Sequence, residues 1–365
     1  MKIYVVGGAI RDQLMGLPIK DLDYVVVGAS PQEMIQKGFI PVGQDFPVFL
    51  HPVTRAEYAL ARTERKVSPG YKGFVFHAAP EVTLEQDLAR RDLTINAMAR
   101  LADDHGLPVG DVIDPYGGQE DIRNHVFRHV GPSYKEDPVR LLRLARFAAR
   151  FPDFQIHATT LNLLKEMKDK GELEALVKER VWQEISRGLM SAHPARMFEV
   201  FIEMEVLELF FPKLANTDSR KLSRLNQAAQ FNFNLPQRYA TLTAGLDLQM
   251  IAQWAAMWSI PAECKEYAVL TFELRTRLNQ SADAEDLLNL LDRLDVWRKP
   301  ERFSELMVVA RLFDLSVNRL IRAYELANQV NISEIVRQVG EQGSSTGTFI
   351  KEAIHQARML AIKEL

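Results

Sequence analysis

Cysteine is almost missing. The 365 residues hold one, Cys264, which excludes an internal disulfide framework and a cysteine zinc centre and suits a reducing compartment. Histidine is scarce and unevenly placed, at 51, 77, 105, 125, 129, 157, 193 and 355, so the long stretch between His193 and His355 offers no imidazole to a metal. No apolar run approaches the length that crosses a bilayer. The first residues, Met1-Lys2-Ile3-Tyr4-Val5-Val6, reach glycine and charge too soon for a signal peptide, and the expected location is cytoplasmic. There is no flexible linker and no fixed period of the kind that marks a repeat array. Basic charge is not in excess either, with a formal net charge of −3. That excludes a protein coated in positive charge, although a local basic stripe can still meet RNA phosphates.

What is present is an ordinary globular composition, 47% hydrophobic and 25% charged, at a length that suits two or three domains. Short β-prone runs open the chain: Lys2–Val6, Asp21–Val27, Phe39–Val42, Val48–Leu50, Glu57–Arg65 and Gly73–His77. Two helices intervene, one after Gly8 and one starting at Ser30-Pro31, where serine suits an N-cap and proline the first helical position. From about Asp137 the spacing of apolar residues turns helical and scarcely turns back, over 137–150, 158–170, 179–190, 194–207 and 284–295. The reading is an α+β chain with a head on a small mixed sheet (1–136), a helical neck (137–212) and an all-α body and tail (213–365).

The richest stretch is Val5-Val6-Gly7-Gly8-Ala9-Ile10-Arg11-Asp12, running on to Lys20-Asp21-Leu22-Asp23-Tyr24-Val25. On a strand, side chains two apart share a face, so Asp21 and Asp23 can offer their carboxylates to one point. Mg²⁺ suits that point, because it is usually held by one or two carboxylates with substrate phosphates and water completing its octahedron. Gly7 and Gly8 allow close backbone approach to a triphosphate, and the helix expected after them turns its positive end toward the phosphates. A Gly-Gly turn and an Asp-x-Asp pair are also common without any catalytic role. Their position within the first two strands favours the nucleotide-binding reading.

These residues resemble the nucleotidyltransferase head of the class II CCA-adding enzymes, the tRNA nucleotidyltransferases, which share it with bacterial poly(A) polymerases. The likeness continues through Arg90-Arg91-Asp92-Leu93-Thr94-Ile95-Asn96-Ala97, Asp114-Pro115-Tyr116-Gly117-Gly118, Glu136-Asp137-Pro138-Val139-Arg140-Leu141-Leu142-Arg143 and Glu179-Arg180-Val181-Trp182. Five ordered motifs over roughly the first half make a specific match. The resemblance implies addition and repair of the 3′-terminal CCA of tRNA from CTP and ATP, without a nucleic-acid template and with release of pyrophosphate. Its implied partners are therefore the tRNA acceptor end, CTP and ATP, with no membrane, and a monomer is the favoured state.

Roles follow for named residues. Asp21 and Asp23 are the expected catalytic metal ligands, with two Mg²⁺ ions serving the 3′-hydroxyl and the departing pyrophosphate. A third carboxylate is not assigned; Glu57 and Glu64 lie on a plausible strand but can equally be solvated. Gly8, Arg11 and Arg91 are expected at the triphosphate, where a guanidinium fork suits phosphate oxygens. The resemblance turns Asp92 toward the nucleotide as well, yet Asp92 also reads as a plain N-cap for a helix over Leu93–Met98.

Asp137 and Arg140, with Arg143 a turn further, are expected to read the base. Cytosine and adenine both present an amino donor beside a ring-nitrogen acceptor, which suits a carboxylate next to a guanidinium, whereas uracil and guanine reverse the order. A capped helix with an intrahelical ion pair is the plainer account of the same residues. Arg140, Arg143, Arg146 and Arg150 recur at helical spacing, as an RNA-binding flank or as a solvated face. The basic loop from Ala61 to Gly73 is either a mobile element of the C-to-A switch or a hairpin tip. Several relatives carry a C-terminal histidine-aspartate phosphohydrolase, and the missing histidines predict that this chain has neither that activity nor its metal. Two rivals remain: a poly(A) polymerase or an enzyme adding only part of the CCA end, and a tRNA-binding protein that has lost catalysis.

Overall fold

A computed structural model describes residues 1–42, 48–66, 74–214, 220–280, 283–341, 347–363 and 365. Among these the chain divides into two compact units, Met1–Glu184 with Val200–Val206, and Ile185–Glu199 with Leu207–Leu365. The division falls inside the expected neck, not at either of its ends.

The first unit opens with β1 (Lys2–Val6), α1 (Gly8–Leu14), β2 (Asp23–Val27), α2 (Pro31–Gln36), β3 (Ile40–Val42), β4 (Val48–Leu50) and β5 (Glu57–Leu60). There follow β6 (Arg62–Lys66), β7 (Phe74–Ala78), α3 (Leu84–Ala89), β8 (Ala99–Ala102), β9 (Pro108–Ile113), α4 (Gly118–Arg123) and β10 (Val126–Phe127). After them come α5 (Val139–Arg150), β11 (Gln155–Ile156), α6 (Ala158–Asp169) and α7 (Lys178–Leu189), the last crossing into the second unit. Seven strands form one sheet in the order β3-β4-β5-β2-β1-β8-β9. Only β2 and β5 run parallel, so this is the mixed sheet expected of the head.

The alternation of each strand decides what the two faces carry. One face packs Val6, Val25, Ala61, Val82, Leu88, Ala97 and Ala99 into a core under α3. On the other, Tyr24 and Tyr58 stack with ring centroids 4.3 Å apart, as the register of β2 and β5 requires. The run expected as one strand over Glu57–Arg65 breaks at Ala61, which is buried and donates to the Val26 carbonyl. Beyond it, β6 leaves the sheet and pairs with β7 as a separate ribbon. The tip of that ribbon, the Lys66–Gly73 part of the basic loop, lies largely outside the described residues, as does the Glu64 side chain.

A helix over Leu93–Met98 is not formed. The chain makes one 3-10 turn at Thr94–Asn96 and enters β8, because Leu93 is extended and Thr94 donates to the Arg128 carbonyl. The Asp114-to-Gly118 motif presses α4 onto that turn. Asp114 accepts from the amides of Gly118 and Gln119 at 2.7 and 2.8 Å, and Gly117 takes φ +75°. A Cβ on Gly118 would lie 2.3 Å from the Thr94 carbonyl oxygen and 3.0 Å from Met98 Cγ. The Thr94 contact is to backbone and leaves no slack, so Gly118→Ala is expected to destabilise the protein by about 2 kcal/mol or more. A lowered melting temperature for the first transition in thermal unfolding checks this; an unchanged one refutes the packing account.

Among its described residues the second unit is built of helices, with no strand. Its core gathers Leu287, Leu288, Leu290, Leu291 and Leu294 with Leu306, Val309 and Leu320, apolar residues that recur at three and four along successive helices. Burying each such side chain is worth about 1.5–3 kcal/mol. Arg238 is buried, and its guanidinium donates to the carbonyls of Phe233, Leu189 and Ser191, capping the end of α7. Among the described residues no helix is long and apolar enough to cross a membrane.

Candidate active site

The turn after β1 sets the site. Gly7 caps α1 with φ +74°, a conformation that favours glycine, and donates to the Met98 carbonyl at 3.0 Å. A Cβ at Gly7 would meet Arg91 Nη1 at 2.9 Å, and one at Gly8 would meet Arg11 Nη2 at 3.3 Å. The paired glycines therefore let two guanidinium groups lie against the backbone. Asp23, the first residue of β2, pairs with Val6 immediately before this turn. Asp21 precedes the strand, and both aspartates are exposed. No described residue makes a hydrogen bond or ion pair with either carboxylate, and among the described residues no third acidic, histidine or cysteine side chain joins them as a metal cluster. Glu57 begins β5 and is exposed.

Arg11 is 3% exposed. It donates to Asp12 Oδ1 through Nε and Nη2 at 2.9 and 2.8 Å, and to Asn96 Oδ1 through Nη1 at 2.5 Å. Its carbon centre lies 5.3 and 5.0 Å from the rings of Phe147 and Phe151. Burial lowers its pKa from the usual arginine value against the pull of Asp12. The charge thus sits under Gly8, braced by protein partners and still holding unused N–H groups on its two terminal nitrogens.

From Arg11 a buried polar chain continues. Asn96 donates to Asp92 Oδ1, the Leu93 amide donates to the same oxygen, and Arg143 donates to Asp92 Oδ2 at 2.8 Å. Burial alone would raise the Asp92 carboxyl, but the charge of Arg143 and these hydrogen bonds hold it well below the usual carboxylate range. Asp92 raises Arg143 in return. Asp92 is therefore turned into the interior, against the expectation that it faces the nucleotide or merely caps a helix. The expected basic flank of α5 is neutralised in the same way. Besides Arg143 with Asp92, Arg146 pairs with Glu184 and Arg150 with Asp12.

The two residues expected to read the base stand at the start of α5 and do not pair with each other. Asp137 accepts from the Val139 amide at 3.1 Å and from Arg180 of α7 through both terminal nitrogens, at 3.3 and 2.9 Å. Arg140 donates to the carbonyls of Ser133 and Arg90, at 3.1 and 2.5 Å, and lies over the buried ring of Tyr134. Arg91 donates to the buried carboxylate of Asp87. The sequence pattern alone assigns no role to Asp87, Asn96 or Arg180. Arg180 stood in the Glu179-Arg180-Val181-Trp182 motif, which was its only signal.

A family model described as the poly A polymerase head domain matches residues 3–128, and one described as a probable RNA and SrmB-binding site of polymerase A matches 153–217. The multifunctional CCA protein of Burkholderia ambifaria (strain MC40-6) is 44% identical over 411 residues, covering 100% of this chain and 98% of its own. That of Dechloromonas aromatica (strain RCB) is 42% identical, covering 100% and 97%. Among solved structures, the complex of a CCA-adding enzyme with CTP superposes with TM-score 0.71 at 26% identity, over 99% of this chain and 87% of that one. The Thermotoga maritima CCA-adding enzyme with tRNA_CCA also gives 0.71, over 100% and 88%, at 23% identity, where the likeness speaks for the fold.

Proposed function

Because this chain belongs to the multifunctional CCA protein family of tRNA nucleotidyltransferases, we propose that it adds and repairs the 3′-terminal CCA of tRNA from CTP and ATP, without a nucleic-acid template. The observation that carries this reading is the pair of exposed carboxylates, Asp21 and Asp23, unpaired among the described residues, beside the Gly7–Gly8 turn with its two guanidinium groups. Two carboxylates fit Mg²⁺, which keeps several positions for water and phosphate, and among the described residues no third ligand joins them. Bound there, Mg²⁺ supplies neutralisation of the triphosphate and a lowered pKa for the attacking hydroxyl.

The chain's own residues do the rest by position and charge. Arg91 and the Gly8 backbone hold the triphosphate, with Arg11 adding its charge from beneath. Asp137 and Arg140 take the base edge, and Arg143, fixed by Asp92, sets the helix that carries them. The 3′-oxygen of the tRNA bonds to the α-phosphorus as the bond to pyrophosphate breaks, and the hydroxyl proton passes to solvent. A tRNA substrate supports a cytoplasmic location. The alignment with the B. ambifaria relative is longer than this chain, and residues 194–354 contain no histidine, so phosphohydrolase activity is absent on this reading.

Incubation of tRNA transcripts ending before CCA with CTP, ATP or both tests the function. Two C residues and then one A are expected. Unlimited A addition to unrelated RNA would make it a poly(A) polymerase, addition of C or A alone an enzyme for part of the end, and tRNA binding without incorporation an inactive binder.

A further inference from the structure

We propose that Asp87 is a positioning residue that locks the phosphate-holding and base-reading arginines into one unit, an inference that rests on the roles given above to Arg91 and Arg140. Asp87 lies on α3 and is 0% exposed. A carboxylate is not placed there for solubility, and removing it would strand two charged neighbours.

Its two oxygens are divided between consecutive residues. Oδ1 accepts from Arg90 Nε and Nη2 at 3.0 and 2.7 Å, and Oδ2 accepts from Arg91 Nη2 at 3.2 Å. Arg91 is thereby laid against Gly7. Holding the Arg90 side chain fixes its backbone as well, and the Arg90 carbonyl is the acceptor for Arg140 Nη2 at 2.5 Å. Oδ1 also accepts from the Arg62 amide at 3.3 Å, at the root of the β6–β7 ribbon. One buried group therefore touches the lever for the phosphates, the lever for the base and the base of the basic loop. A shift of residues 90 and 91 moves both guanidinium groups together, and misplacement by about 1 Å is enough to cost a large factor in rate.

Asp87→Asn keeps the shape, removes the charge and leaves one acceptor where there were two. It is expected to raise KM for CTP and for ATP about tenfold, to leave KM for tRNA unchanged, and to lower the ratio of CTP to UTP incorporation. A residue that only held the fold together would lower the melting temperature and scale kcat alike for every nucleotide, leaving that ratio where it was. Should Asp87→Asn fail to fold, Arg90→Met separates the levers. Arg91 keeps its carboxylate, so nucleotide KM is expected to change little while the CTP to UTP ratio falls. An unchanged ratio in whichever variant folds overturns the proposal. Arg91→Met and Arg140→Met run alongside: if neither alters nucleotide KM or the ratio, it is the assignment of the site that fails.

Discussion

Asp23→Ala, and Asp21→Ala beside it, are expected to lower CMP and AMP incorporation by about a thousandfold or more while tRNA affinity stays within about twofold. Their loss takes away the negative charge on which the metal depends, and the charge stabilisation it provides in phosphoryl transfer is several kcal/mol, with each 1.36 kcal/mol a factor of ten in rate. Neither side chain supports the fold. Both are exposed, and no described residue is bonded to either carboxylate. A thermal melt of each variant should accordingly match the parent, and a filter-binding or fluorescence titration with tRNA should too. Retained incorporation by Asp23→Ala would refute the metal-ligand assignment. Asp23→Asn is the sharper companion, because it preserves size and one oxygen and so isolates the charge.

How much of this was readable in advance depends on the range of the interaction concerned. Local patterns spoke clearly: the short apolar run Lys2–Val6, the glycine pair, Ser30 before Pro31, and the three-and-four spacing of α5 to α7 are decided by a few neighbouring residues. The glycine turn was legible for the same reason, and Asp23 stands beside it through its pairing with Val6, all within about twenty residues of chain. The β8–β9 hairpin was not foreseen. Its strand residues include Arg100, Asp111 and Gly110, and what draws Ala99–Leu101 into the sheet is pairing with Tyr4–Val6, almost a hundred residues away.

The row Arg140, Arg143, Arg146 and Arg150 shows the same limit at the site. Spacing places these arginines on one side of a helix, but it does not say what lies opposite. Asp92, Glu184 and Asp12, from three separate parts of the chain, answer three of the charges, while the Arg143 and Arg150 side chains stay partly exposed. Asp92 misled for a related reason. Taken with its neighbours it reads as a cap, and only the fold brings Arg143 and Asn96 to it.

The second large effect concerns which nucleotides are accepted. Asp137 and Arg140 are held by protein groups in this structure, Asp137 by Arg180 and Arg140 by two carbonyls, so in the base-reading role proposed for them an incoming base must share or exchange those bonds. Cytosine and adenine can do so without leaving a group unpaired; uracil sets its carbonyl against the carboxylate and its ring N–H against the guanidinium. Each group left unsatisfied costs about 1–3 kcal/mol, or roughly 5- to 150-fold in preference. Asp137→Asn exchanges an acceptor-only group for one that both donates and accepts, so its amide can meet the uracil carbonyl. The ratio of CTP to UTP incorporation is expected to fall about 10- to 100-fold, mostly through faster use of UTP. Arg140→Leu should lower the same ratio by slowing CTP use, because the donor to the ring nitrogen is gone. Arg180→Met acts at one remove, releasing the Asp137 carboxylate from its fixed direction, and the drop should be smaller than for either. Single-turnover incorporation on a tRNA ending before CCA separates these cases. A CTP to UTP ratio unmoved by Asp137→Asn would mean that the base is read elsewhere and that Asp137 serves only to tie α5 to α7.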